Sequence, residues 1–168
     1  GESTRPGSDE VPLEEELRRV VPLVERLVRE TALPVSVDTC KPEVMRAAVQ
    51  AGAGMINDIR ALRAEGALDA AAALGVPVVL MHMQGEPRSM QDAPHYEDVV
   101  GEVHRFLAER VFVAEMAGIA RRNIVLDPGF GFGKSTAHNV DLLEGLERLA
   151  DLGVPVLAGL SRKRSIGE

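Results

Sequence analysis

The sequence predicts an α/β fold of parallel strands joined by helical crossovers, forming part of a (β/α)8 barrel. Three observations carry this. After one leading helix, short apolar runs alternate with segments of helical periodicity in the order β-α-β-α-β-α-β-α-β, the pattern of a parallel sheet with crossover helices. No Asn-Gly or other short hairpin signal separates the runs. Each run ends in a polar or special residue, at Asp38, Asn57, His82, Asp127 and Ser161. The carboxyl ends of parallel strands share one edge. A barrel bends that edge into a ring around one pocket, whereas an open sheet spreads it along a line. Five polar ends therefore favour the barrel. Five strands do not close an eight-stranded ring, so the first two strands and the last strand are expected outside residues 1–168. Those residues read as a single domain, incomplete at both ends.

Taken in order, residues 1–10 are a loop of Ser, Thr, Pro, Gly and charges. Pro12 then opens an amphipathic helix in which Leu13, Leu17, Val20, Val21, Val24, Leu27 and Val28 recur at helical spacing. Glu14, Glu15 and Glu16 lie near its positive end, and Pro22 predicts a kink or break. Residues 35–38 are the first strand. Pro42 stands in the first turn of the next helix, which runs to Gly52. Residues 55–59 form the second strand, an Ala-rich helix spans 67–74, and residues 78–83 form the third strand. A long polar loop at 84–94 precedes a long helix over about 97–117. The fourth strand covers 124–126, one helix spans about 139–152, and the fifth strand covers 154–159.

The chain has 168 residues, 45% of them apolar and 27% charged, enough for one domain with a real core. Its net charge is −7 and its longest basic run is Arg162-Lys163-Arg164, which argues against nucleic acid or an anionic membrane as partner. Cys40 is the only cysteine, so no disulfide framework or cysteine zinc site is expected. Nothing reads as a leader or membrane span, and the expected compartment is the reducing cytoplasm.

The richest stretch is Leu126-Asp127-Pro128-Gly129-Phe130-Gly131-Phe132-Gly133-Lys134. A carboxylate at a strand end, beside a Gly/Phe loop, suits a flat heterocycle: the acid accepts ring N–H groups and a phenyl ring stacks. A plain Asp-Pro-Gly turn explains the first three residues equally well, but such a turn has no use for two aromatics. Gly133-Lys134-Ser135 also matches the end of a phosphate-binding P-loop. The position of that motif's first glycine is Pro128, however, which has no N–H to give a phosphate.

Asp38 can accept from a ligand or cap the helix after it. Asn57, inside an apolar run, requires partners. His82 has no second histidine at metal-ligand spacing and reads as a structural residue. Met81 can pack on a flat ring or simply fill the core. Arg5, Arg162, Lys163 and Arg164 concentrate positive charge at the strand-end loops of an acidic protein, which suits an anionic substrate such as a phosphate ester.

Six ordered blocks now stand together: Gly1-Glu2-Ser3-Thr4-Arg5-Pro6-Gly7, Val37-Asp38-Thr39, Ile56-Asn57-Asp58-Ile59, Leu80-Met81-His82-Met83-Gln84-Gly85, residues 126–134, and Gly159-Leu160-Ser161-Arg162-Lys163. In order and spacing the sequence resembles the dihydropteroate synthases. The resemblance implies a (β/α)8 TIM barrel that joins 6-hydroxymethyl-7,8-dihydropterin diphosphate to 4-aminobenzoate, giving 7,8-dihydropteroate and diphosphate in folate synthesis, with Mg2+ required. It implies that Asp38, Asn57, Asp127 and Lys163 hold the pterin by hydrogen bonds and that Ile59, Met81, Phe132 and Gly159 line its pocket. Thr4 and Arg5 would lie near the diphosphate and aminobenzoate. Pro6, Phe132, Ser161, Arg162 and Lys163 would shape the aminobenzoate side, where sulfonamides compete. Arg5 and Lys163 are the candidate catalytic residues. The family's Mg2+-binding Asn has no counterpart here and would precede residue 1. The resemblance also implies a homodimer. Two other readings remain open at this point. A methyltetrahydrofolate:corrinoid methyltransferase should lack the Ser-Thr-Arg-Pro loop and the Ser-Arg-Lys ending. A non-catalytic pterin-binding fragment would bind the ring without releasing diphosphate.

Overall fold

The computed structural model describes residues 1–5, 8–85, 90 and 94–161. In chain order its elements are α1 (Leu13–Glu30), β1 (Ser36–Asp38), α2 (Pro42–Gln50), β2 (Met55–Asp58), α3 (Ala67–Leu74), β3 (Val78–Met81), α4 (Val99–Met116), a 3-10 turn (Arg121–Asn123), β4 (Ile124–Asp127), α5 (Thr136–Glu144) and α6 (Leu146–Ala150). The four strands pair in parallel in the order β1-β2-β3-β4. Sequential neighbours all lying in parallel form one arc of a (β/α)8 barrel.

Strand alternation sends successive side chains to opposite faces. Val37, Ile56, Val78, Leu80, Ile124 and Leu126 point outward into the main core, where Val20, Val24, Val44, Met45, Val103 and Leu107 of the helices meet them. The other face carries Asp38, Asn57, Val79, Met81, Val125 and Asp127, joined across the sheet by the registers Asp38↔Asn57, Asn57↔Val79, Val79↔Val125 and Met81↔Asp127. Parity alone thus keeps Asp38, Asn57 and Asp127 off the core face, and puts Asp58 on it.

Three expected elements differ. The fifth strand is reduced to one parallel bridge between Leu126 and Val156, made by Leu126 N–H to the Pro155 carbonyl at 2.9 Å and Leu157 N–H to the Leu126 carbonyl at 2.7 Å. Pro155 has no N–H with which to extend the ladder. The single helix expected at 139–152 begins earlier and is split at Gly145 into α5 and α6. A Cβ at Gly145 would crowd Val100 of α4, so the glycine marks a close approach between helices. Finally, α1 runs unbroken through Pro22. The carbonyl that loses its donor belongs to Arg18; both residues are exposed, so water can serve it.

The helix ends have local causes. The Asp98 carboxylate accepts the Gly101 N–H at 2.9 Å and starts α4. Ser135 starts α5 by a reciprocal pair: its hydroxyl accepts the His138 N–H, and its own N–H donates to His138 Nδ1, both at 3.2 Å. Among the described residues no helix is long and apolar enough to cross a membrane.

Candidate active site

The carboxyl edge of the sheet collects the site. Asp38 and Asn57 lie opposite each other in register, and the Asn57 side chain favours the charged Asp38 carboxylate. Asp38 does not cap α2. Lys41 holds that position without a side-chain cap, and Thr39 Oγ1 accepts the Lys41 N–H at 3.2 Å. Desolvation raises the Asp38 pKa above the ordinary carboxylate value; the Asn57 side chain opposes this, and the negative charges of Asp58 and Asp127 add to it. Asp38 thus feels both neighbouring carboxylates.

Asp127 ends β4 on the same face as Met81. It is buried, and its Oδ1 accepts the Gly129 N–H at 2.7 Å, so one oxygen shapes its own turn. A carboxylate has about four acceptor directions, so the Gly129 bond does not exhaust it. Beside it, Ile59, Met81, Met83 and Met90 form a small buried apolar cluster with Cys40 and Phe132 packed against it. Polar acceptors thus stand next to a flat apolar bed. Burial and Asp58 push the Cys40 thiol above its ordinary range.

The loop after β4 is tied back to β3. Lys134 is buried, and its ammonium donates to the carbonyls of Gly129 and Phe132 at 3.0 Å each and lies 3.0 Å from His82 Nδ1. The nitrogen is spent on backbone, and Ser135 is spent on the α5 cap, which removes both residues from the phosphate-binding role that the P-loop likeness offered. His82 turns away from the pocket into this contact. Its pKa is lowered to about 3, by burial first and then by the charges of Lys134 and Arg63. A neutral imidazole can accept from Lys134. Of the five polar ends read from the sequence, His82 therefore does not join the pocket.

The turn after β2 is equally fixed. Asp58 is fully buried on the outward face, where it accepts the N–H groups of Arg60 at 2.8 Å and Leu62 at 2.9 Å. Desolvation raises its pKa against those bonds. The next residues, Ala61 and Leu62, both adopt left-handed backbone with φ of 51° and 59°, a conformation that side chains resist. Asp58 and the guanidinium of Arg110, which donates to the Ala61 carbonyl at 2.9 Å, hold it. This turn sets Ile59 beside the pocket.

The structure gathers Asp38, Asn57, Ile59, Met81, Asp127 and Phe132. It leaves Thr4 and the exposed Arg5 on the N-terminal loop, where Ser8 Oγ lies 2.7 Å from the carbonyl oxygens of both Ser3 and Arg5. Gly159 is half-buried, just beyond the Val156 bridge, and Ser161 is exposed. Pro6, Arg162 and Lys163 lie outside the described residues. Sequence reasoning missed Lys134 and Asp58 as organisers of the site. Asp58 directly follows Asn57, and period-two alternation marks it as facing the other way; nothing in the sequence aims Lys134 inward.

Comparison with known proteins follows the same lines. The family model for pterin binding enzymes matches residues 1–168. The chain is 53% identical over 168 residues to dihydropteroate synthase of Escherichia coli strain K12, covering 100% of this chain and 60% of that protein. A solved structure of Xanthomonas albilineans dihydropteroate synthase with 4-aminobenzoic acid shares 74% identity at a TM-score of 0.94, covering 99% of this chain and 59% of that one. The same Xanthomonas enzyme in complex with 7,8-dihydropteroate shares 71% identity at a TM-score of 0.88, covering 96% and 58%. The chain spans about 60% of the length of the curated relatives it matches. With the whole sequence matched by the family model and the strand-end carboxylates in place, this chain belongs to the pterin binding enzyme family.

Proposed function

We propose that residues 1–168 are one pterin-binding domain of a dihydropteroate synthase, joining 6-hydroxymethyl-7,8-dihydropterin diphosphate to 4-aminobenzoate. The observation that carries this reading is the placement of Asp38, Asn57 and Asp127 on one face beside the Ile59, Met81 and Phe132 surface. A pterin is flat and apolar on its faces and carries ring N–H and amino donors along one edge. Asp127 suits that edge, Asp38 and Asn57 suit the far end of the ring, and Gly159 suits close approach of its face. Lys163 would donate to the ring's acceptor side.

The reaction breaks the bond between the exocyclic methylene and the diphosphate oxygen. A new bond forms between that methylene and the amine nitrogen, which then loses a proton. The electron-rich dihydropterin can feed the developing methylene cation, so departure runs ahead of attack in an SN1-like substitution. The aromatic amine needs no activation, and no covalent enzyme intermediate is required. The protein's share is orientation and charge stabilisation. Arg5 would meet the leaving diphosphate with Thr4 beside it, and Pro6, Ser161 and Arg162 would border the aminobenzoate, where sulfonamides would compete. Among the described residues no group of three or more His, Cys, Asp or Glu could hold a metal; the Mg2+ that the resemblance implies would be held by the Asn that would precede residue 1 and would supply charge stabilisation to the leaving diphosphate. On the same reading the enzyme works in the cytoplasm as a homodimer.

The test is diphosphate release from the pterin diphosphate, with and without 4-aminobenzoate, by the full-length protein. Release that depends on the amine and is inhibited by a sulfonamide is the expected result. Pterin binding without release would leave a binding protein and end the synthase reading.

A further inference from the structure

The N-terminal loop is held at both roots by one carboxylate. Glu2 Oε2 accepts the Val11 N–H at 2.7 Å, at the threshold of α1, and the same oxygen lies 2.7 Å from Lys41 Nζ. Lys41 follows the carboxyl end of β1, three residues beyond Asp38, and its ammonium also donates to Glu16 Oε2 at 2.8 Å. The Glu16 side chain, on α1, is 1% exposed. Its other oxygen, Oε1, is buried without a hydrogen-bond partner among the described residues. A second, more exposed tie runs from Arg60, just past β2, to Glu10 at 3.1 Å.

Stability does not account for this arrangement. A buried carboxylate with one unsatisfied oxygen costs free energy, and an apolar side chain in its place is commonly neutral or better. What the arrangement does supply is registration. The strands that carry Asp38 and Asn57 each send a cation to the loop that carries Thr4 and Arg5, so the loop is referenced to the same strands as the ring-binding residues.

We infer that Glu2, Lys41 and Glu16 form a clasp that positions the Thr4–Arg5 segment against the strand-end site, which makes Glu2 and Lys41 positioning residues for the diphosphate end of the reaction. The inference rests on the synthase reading for its consequence and on the Glu2–Lys41–Glu16 geometry for its structure. Glu16 supplies the fixed end, Lys41 the link, and Glu2 the end that moves with the loop.

The experiment compares the full-length protein with Glu2→Ala, with the apolar pair Glu16→Leu/Lys41→Met, and with the triple variant. The paired change avoids stranding a buried charge. Turnover, pterin affinity by calorimetry, thermal stability, and amide hydrogen exchange in residues 3–5 and 8–11 are measured for each. Glu2→Ala is expected to lower turnover roughly ten- to a hundredfold, the range for a misplaced positioning group, with pterin affinity unchanged within about twofold and faster exchange in the loop. The apolar pair should give the same split without loss of thermal stability, and the triple variant should be no worse than either. Wild-type turnover in Glu2→Ala, losses that multiply in the triple variant, or pterin affinity falling in step with turnover would each overturn the clasp. If the wild type released no diphosphate, the synthase reading would fail instead. Loop exchange would then still decide the clasp, since unchanged exchange in Glu2→Ala overturns it without reference to chemistry.

Discussion

Asp127 holds its own turn and, on the proposed reading, also meets the pterin, and the two tasks can be separated. Its Oδ1 holds the Gly129 N–H, and the proposed role turns the same carboxylate toward the pterin's donor edge. Asp127→Asn keeps an oxygen for Gly129 and replaces the other acceptor with a donor. The turn should survive while ligand and protein now present donor to donor. Pterin affinity is expected to fall by roughly tenfold or more, the cost of leaving buried polar groups unmatched. Calorimetry on the variant decides it: wild-type affinity would exclude the proposed ring orientation. Asp38, Asn57 and Asp127 were legible in the sequence because each is a polar residue at or near the end of an apolar run, and strand period fixes its face. His82 sits in the same kind of position but was not legible as a buried partner. Its neighbour Lys134 is 52 residues away and reaches it only because the loop after β4 folds back.

At the scale of elements, the segment from Asp127 to Lys134 works as one packed unit. Gly129 has φ of +70°, and a Cβ there would overlap the His82 carbonyl oxygen; at Gly133, with φ +62°, a Cβ would likewise collide with the Gln84 carbonyl, though less deeply. Both glycines let the loop lie directly on the residues that follow β3 while Lys134 ties it from within. Gly129→Ala meets a left-handed φ penalty of about 1–2 kcal/mol and must also push the loop away from β3. The expected outcome is a lower Tm together with loss of pterin binding, because Phe132 and Asp127 move with the loop. A variant that bound pterin as tightly as wild type would show that the close approach is not needed. Most elements were legible because crossover helices and buried strands carry strong periodicity. Three details were not. The helix break at Gly145 depends on contact with Val100 of another helix, the continuity of α1 through Pro22 depends on solvent reaching Arg18, and the weakness of the fifth strand depends on where Pro155 falls in the ladder.

For the whole molecule, the division between faces sets the response to acid. The outward face and the helices make the main core, while the carboxyl edge buries titrating groups next to one another. His82 has an ordinary value of 6.5 and is held at about 3 in the folded protein. As pH falls below 6.5 the unfolded chain takes up a proton there that the folded chain refuses, and this continues down to about pH 3. The contribution of the neutral imidazole is therefore whole above pH 6.5 and is lost on acidification, with a limiting slope of about 1.4 kcal/mol per pH unit. Asp38 and Asp58 act in the opposite sense, since their folded pKa values are raised and protonation relieves their burial. A raw acid-unfolding curve mixes the two effects, so the measurement is a difference. His82→Asn removes the titration and keeps a side-chain oxygen for Lys134 to bond. Denaturant unfolding of wild type and variant between pH 7 and pH 4 should show the wild type losing stability faster as pH falls, because only its unfolded state gains this proton. Parallel profiles would mean that His82 is protonated in the folded protein as readily as in the unfolded chain, and the buried His82–Lys134 contact would then have to be redrawn.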